Sequence, residues 1–79
     1  MDDRNRLLAL LMDINEDVDF KTETALVDEG LIDSLDLTHI IAGLSDVFGV
    51  RVTPGDIEPE NFNNVDAMLA LVQRCRARQ

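Results

Sequence analysis

The sequence Asp33-Ser34-Leu35-Asp36 holds the residues best suited to chemistry, a serine hydroxyl between two carboxylates. A serine in the first turn of a helix lies at the positive end of the helix dipole, where a phosphodiester on its oxygen is electrostatically favoured. Asp33 is then available to help position a metal ion on an enzyme that modifies the serine. Both residues are also good helix caps, because either side chain can accept a hydrogen bond from a backbone N–H. The motif therefore predicts a helix start, with a modification site as the sharper interpretation.

Three other candidates for chemistry lack the partners that they need. His39, the only histidine, falls roughly 140° around a helix from Ser34, so it is out of reach as a general base. Cys75 is the only cysteine, which excludes an internal disulfide and favours a packing role. Alternating oxygen side chains from Asp13 onward match the opening of a calcium loop, but Val18 stands where that loop needs glycine. We expect neither a catalytic residue nor a bound metal.

Apolar residues at helical spacing predict the elements that position the motif. The first helix has its apolar stripe at 7–14, with Asp2 and Asp3 where a helix N-terminus favours negative charge. The second, clearest helix begins near Asp33 or Ser34 and ends at Gly49. The apolar face of the second helix comprises Leu37, Ile40, Ile41, Leu44, Val47 and Phe48. Between these helices, 15–30 has no sustained period and predicts a long loop. Isolated apolar residues pin this loop to the core: Val18, Phe20, Leu26 and Val27.

Two further helices are predicted after the second. The range 53–56 combines a threonine cap, a proline at the first helical position and an acid near the third, so a brief third helix is expected there, ended or bent by Pro59. Asn63 and Asn64 offer a cap for the last helix. Its face carries Val65, Met68, Leu69 and Val72, and its C-terminus suits Arg74, Arg76 and Arg78. The predicted fold is all-α, a four-helix bundle with a short third helix.

Length and charge limit the class of protein. A chain of 79 residues fits a single domain, 1–79, because a smaller unit could not bury enough apolar surface. Acidic residues outnumber basic ones 16 to 7, for a net charge of -9, which disfavours nucleic acid and anionic membranes as partners. No apolar stretch is long enough for a signal sequence or a membrane span, so no membrane insertion is expected. A lone cysteine suits a reducing compartment, and a cytoplasmic monomer is expected.

The segment EGLIDSLD at 29–36 and the later FGV at 48–50 resemble the acyl and peptidyl carrier protein family, over nearly the whole chain. The resemblance implies an acyl-carrier-protein-like bundle in which Ser34 accepts 4'-phosphopantetheine from coenzyme A, while Asp33 assists the transferase. It implies a carrier and not an enzyme, since the transferase supplies the base and the magnesium. The arm's terminal thiol then carries an acyl or aminoacyl group as a thioester.

The family likeness also implies a set of partners. These are a phosphopantetheinyl transferase, an adenylating acyl or aminoacyl ligase, and a downstream acyltransferase or condensing enzyme. Contact with them is expected through the start and outer face of the second helix: Leu35, Asp36, Thr38 and His39.

Three functional interpretations remain open. The sequence DIEPENF at 56–62 is similar to that of free-standing carriers served by a separate adenylating ligase, so a discrete acyl or aminoacyl carrier of a dedicated biosynthetic pathway is the first. Some resemblance to D-alanyl carriers makes alanylation of cell-wall polymers the second. The third belongs to another class, an acidic helical interaction module with no prosthetic group, in which the motif at Ser34 is only a cap.

Overall fold

Capping side chains start the long helices of this protein. The computed structural model describes residues 2–78. Its regular elements, in chain order, are α1 (Asp3–Ile14), α2 (Ser34–Phe48), a 3-10 turn (Pro54–Asp56), α3 (Pro59–Phe62) and α4 (Val65–Ala77). Asp2, Asp33 and Asn64 precede α1, α2 and α4, and each side chain accepts a hydrogen bond from a backbone N–H in the first turn. All regular structure in the described range is helical, which confirms the predicted all-α bundle.

The helices pack through the apolar stripes that the sequence predicts. α1 packs against both α2 and α4, and α3 packs against α4. The buried core is aliphatic apart from three phenylalanines and one cysteine: Leu7, Leu8, Leu11, Phe20, Leu26, Ile32, Ile40, Leu44, Phe48, Val50, Phe62, Val65, Met68, Leu71, Val72 and Cys75. Full burial of one such side chain contributes about 1.5–3 kcal/mol, so this core is the main source of stability.

The chain between α1 and α2 is a long loop fastened to that core. Phe20 and Leu26 are buried, and Val18 and Val27 are partly buried against the core cluster. These are the four apolar residues predicted to pin the loop. Ile32, also buried, fixes the loop just before α2 begins.

The C-terminal end of α2 stops as predicted. Gly49 adopts a left-handed conformation with φ 65°, and its N–H donates to the Ser45 carbonyl at 2.9 Å. A residue with a side chain would be strained in this conformation. Gly49 therefore sets the length of α2.

Two arginines from other helices surround this end of α2. Arg6 of α1 donates to the Val47 carbonyl, and its guanidinium lies 5.0 Å from the centre of the Phe48 ring. Arg76 of α4 lies 5.6 Å from the same ring. Asp3 pairs with both arginines. The end of α2 opposite Ser34 is thus held by cation–π contacts and ion pairs.

The third helix differs from its prediction. The range 53–56 forms only the 3-10 turn, closed by the Asp56 carboxylate, which accepts from the Thr53 N–H at 2.9 Å. The α-helical part begins at Pro59, which was expected to end or bend the helix. Proline has its backbone angle preset for a helix and needs no N–H at the first position, so it starts α3 instead.

Candidate functional site

Ser34 is the first residue of α2, directly after the cap Asp33. The Asp36 N–H donates to Asp33 Oδ1 at 2.8 Å, and the Asp33 N–H donates to Asp36 Oδ2 at 3.4 Å. This reciprocal pair is a capping box. It fixes the first turn of α2, on which the serine stands.

The Ser34 side chain is exposed. The hydrogen bonds of this turn use the two aspartates and the Ser34 carbonyl, which accepts from Thr38 Oγ1 at 2.9 Å. None of these bonds engages the Ser34 hydroxyl. The Asp33 cap accepts from the N–H of Asp36. The N–H groups of Ser34 and Leu35 also lie in the first turn, where backbone N–H groups point out of the helix start and make it positive. An exposed hydroxyl beside amide donors fits a covalently attached phosphoryl group.

The residues expected to meet partner enzymes are not equivalent. Leu35 exposes 63% of its surface, a high value for a large apolar side chain. Thr38 and His39 are exposed on the following turn. Asp36 is half-buried, and its carboxylate also accepts from Asn15 Nδ2 at 3.5 Å, a distance at the outer limit of a hydrogen bond. The structure therefore gives Asp36 a capping role and leaves Leu35, Thr38 and His39 accessible.

Asn63 contacts the loop that precedes α2, a role that the sequence did not reveal. Asn63 and Asn64 together were predicted to offer a cap for α4, and only Asn64 provides it, with its side chain accepting from the Ala67 N–H at 2.7 Å. Asn63 turns to the loop before α2 and accepts there from the N–H groups of Val27 and Asp28. The sequence held one hint of this role: two adjacent asparagines stand where α4 needs only one cap, which leaves the other free for a different contact.

The comparisons with known proteins agree with this geometry. The family model described as phosphopantetheine attachment site matches residues 5–72. The chain is 32% identical over 75 residues to aminoacyl carrier protein 1 of Bradyrhizobium diazoefficiens, covering 90% of this chain and 82% of that protein. No solved structure gives a significant match. None of the described helices combines the length and apolar character needed to cross a membrane.

A family match across most of the chain, together with a related carrier and an exposed serine at a helix start, leads to one assignment. The chain belongs to the phosphopantetheine-attachment family, as a carrier protein that bears covalent 4'-phosphopantetheine and serves as the substrate of its partner enzymes without being an enzyme itself.

Proposed function

We propose that this chain is a discrete acyl or aminoacyl carrier, one domain over 1–79, that holds its cargo as a thioester on 4'-phosphopantetheine attached to Ser34. The exposed Ser34 hydroxyl at the start of α2 carries this proposal. Loading forms one P–O bond to Ser34 and breaks the pyrophosphate bond of coenzyme A, so adenosine 3',5'-bisphosphate leaves while the transferase takes the serine proton. The chain's own part is to display the hydroxyl on a fixed turn.

An aminoacyl group is the cargo class that we propose first. Its support is the relative in Bradyrhizobium diazoefficiens, whose name describes an aminoacyl carrier. A separate adenylating ligase would then load the arm, in a dedicated biosynthetic pathway. A downstream acyltransferase or condensing enzyme would accept the group.

Partner enzymes are proposed to meet the start and outer face of α2. Leu35, Thr38 and His39 are the exposed residues there, and the half-buried Asp36 completes the proposed contact. An exposed apolar side chain beside the modification site gives a partner contact area that costs little to desolvate. Asp33 is proposed to assist the transferase at the serine.

The attachment is tested by incubating the protein with coenzyme A, magnesium and a broad-specificity phosphopantetheinyl transferase, then measuring the intact mass. Ser45 provides the matched control, because it is the other serine of the chain and is exposed on the same helix. Wild type and Ser45→Ala should each gain one phosphopantetheinyl group, and Ser34→Ala should gain none. Loading of Ser34→Ala, or no loading of wild type, would rule out the proposed attachment.

A further inference from the structure

Asn63 makes four hydrogen bonds to the loop before α2, although 36 positions separate it from Val27. Its backbone carbonyl accepts from the Leu26 N–H at 2.9 Å. Its side-chain Oδ1 accepts from the N–H groups of Val27 and Asp28 at 3.0 and 3.1 Å. Its Nδ2 donates to the Asp28 carboxylate at 3.0 Å. We call these four bonds the Asn63 clasp.

The clasp acts on the backbone as a helix cap does. Backbone N–H groups at the start of a turn have no partner within the turn, and a side-chain oxygen commonly accepts from them. Residues 25–30 form such a turn, in which the Glu29 N–H donates to the Ala25 carbonyl at 2.8 Å. The accepting oxygen comes here from a different element, the junction between α3 and α4.

The bonds continue from the clasp to Ser34. The Leu26 carbonyl accepts from the N–H groups of Leu31 and Ile32 at 2.9 and 3.2 Å. Gly30, with φ 70°, makes the reversal that this geometry requires. Ile32 is buried and immediately precedes the cap Asp33. The path from Asn63 to the serine therefore consists of hydrogen bonds and two buried side chains.

We propose that Asn63 is a positioning residue for the loading of Ser34, one that holds 26–32 in the single arrangement that presents the serine to the transferase. The inference rests on the proposed attachment at Ser34. Without the clasp, residues 26–32 would populate other arrangements as well. A transferase that binds only the arrangement presenting Ser34 would then show a weaker apparent affinity. The expected kinetic signature is a higher KM with little change in kcat.

Asn61 of α3, two residues before Asn63, offers a matched control. It is also a half-buried asparagine with two side-chain hydrogen bonds, donating to the Asp56 carbonyl at 2.8 Å and accepting from Arg74 at 2.9 Å. These bonds join α3 to the 3-10 turn and to α4, and they do not reach the loop before α2. Asn61→Ala therefore reports on the general weakening of this region.

A swapped pair offers the rescue. Asn63→Asp places a carboxylate opposite the Asp28 carboxylate, and like charges at that distance repel. Adding Asp28→Asn restores one donor and one acceptor across the same contact and leaves the net charge of the wild type. The double variant keeps the oxygen that accepts from the Val27 and Asp28 N–H groups. Recovery in the double variant would show that the clasp itself matters.

The experiment measures amide hydrogen exchange by NMR in the unloaded proteins and steady-state loading by the transferase, at a temperature where every variant is folded. In Asn63→Ala, exchange at Val27, Asp28, Leu31 and Ile32 should accelerate about tenfold, as expected when such hydrogen bonds are lost. Its KM should rise about tenfold with kcat nearly unchanged. Asn61→Ala should match wild type in both readouts, and the swapped pair should recover.

Three results would overturn the proposal. These are unchanged exchange at the four amides in Asn63→Ala, an unchanged KM despite faster exchange, or an equal rise in KM for Asn61→Ala. Failure of the attachment itself is distinguishable, because then wild type would not be loaded at all. In that case the exchange comparison between Asn63→Ala and Asn61→Ala still decides whether the clasp orders the loop.

Discussion

The guanidinium of Arg78 donates two parallel hydrogen bonds to the carboxylate of Asp56, at 3.0 and 2.7 Å. Asp56 also accepts from the N–H and hydroxyl of Thr53, both at 2.9 Å. One carboxylate thus connects the C-terminal end of α4 to the 3-10 turn. Bidentate pairs of this kind fix geometry as well as charge.

Strong acid should weaken this connection by protonating the Asp56 carboxylate. The hydrogen bonds from Arg78, followed by the one from the Thr53 backbone, hold the pKa of Asp56 well below its ordinary value of 3.8. A lowered carboxylate pKa stabilises the fold above the ordinary value, and the contribution is lost as pH falls toward the folded pKa. Urea midpoints of wild type should therefore exceed those of Asp56→Asn near neutral pH. The difference should shrink below about pH 4. A difference in urea midpoint that stays constant as pH falls would contradict the lowered pKa of Asp56. The difference in urea midpoint between wild type and Arg78→Gln should likewise shrink below about pH 4, because both variants lose the same ion pair.

Loss of either helix cap should cost similar stability but affect loading differently. Asp33→Ala and Asn64→Ala each remove the side chain that caps a long helix, and each should lower the free energy of unfolding by about 0.5–2 kcal/mol. Asp33 adjoins the serine, so its replacement should also slow phosphopantetheine transfer. Urea unfolding and transfer rates measure the two effects. Equal transfer rates in the two variants would show that Asp33 does not assist phosphopantetheine transfer.

Leu35 should matter for partners and not for folding. It exposes 63% of its surface, and Met12 on α1 exposes 52%, so Leu35→Ser and Met12→Ser should each change the free energy of unfolding by less than about 0.5 kcal/mol. Burial of a leucine by a partner contributes about 1.5–3 kcal/mol. Leu35→Ser should therefore lower the kcat/KM of a partner enzyme by about tenfold or more, while Met12→Ser should not. Equal losses of kcat/KM in the two variants would show that the partner enzyme does not bury Leu35.

Thiol titration should separate the protein's own cysteine from the arm. Cys75 is 1% exposed, and a buried thiol reacts slowly because the reagent must wait for opening. The unloaded native protein should show no fast thiol with Ellman's reagent, and the loaded protein should show one. Loaded Cys75→Ala should keep its fast thiol. A fast reaction of the unloaded wild type would mean that Cys75 is accessible.

Local sequence signals predicted most of the fold and the position of Ser34 at the start of α2. Apolar periodicity placed the long helices, and Asp33, Gly49 and Asn64 marked their ends by backbone chemistry that depends on neighbouring residues alone. The role of Pro59 was wrongly predicted, because a proline can either start a helix or interrupt one. Local sequence does not distinguish these two roles, and the packing of α3 decides between them.

Long-range pairing was not predictable. Arg74, Arg76 and Arg78 were assigned to the helix end by charge, and each donates to a side chain of a different element: Asn61, Asp3 and Asp56, respectively. The Asn63 clasp likewise joins positions 36 apart. Such partners are fixed by the packed fold, and a single sequence carries no periodic or capping signal for them.

The arginine pairings around Phe48 lie about 20 Å from Ser34, the length of α2 at 1.5 Å per residue. We expect substitutions among these arginines and Phe48 to change the thermal stability of the protein while Ser34 keeps its exposed position in the first turn of α2. We therefore expect thermal stability and enzyme recognition to respond to different substitutions in this carrier. Spectroscopic labels intended to leave recognition untouched belong at the Phe48 end.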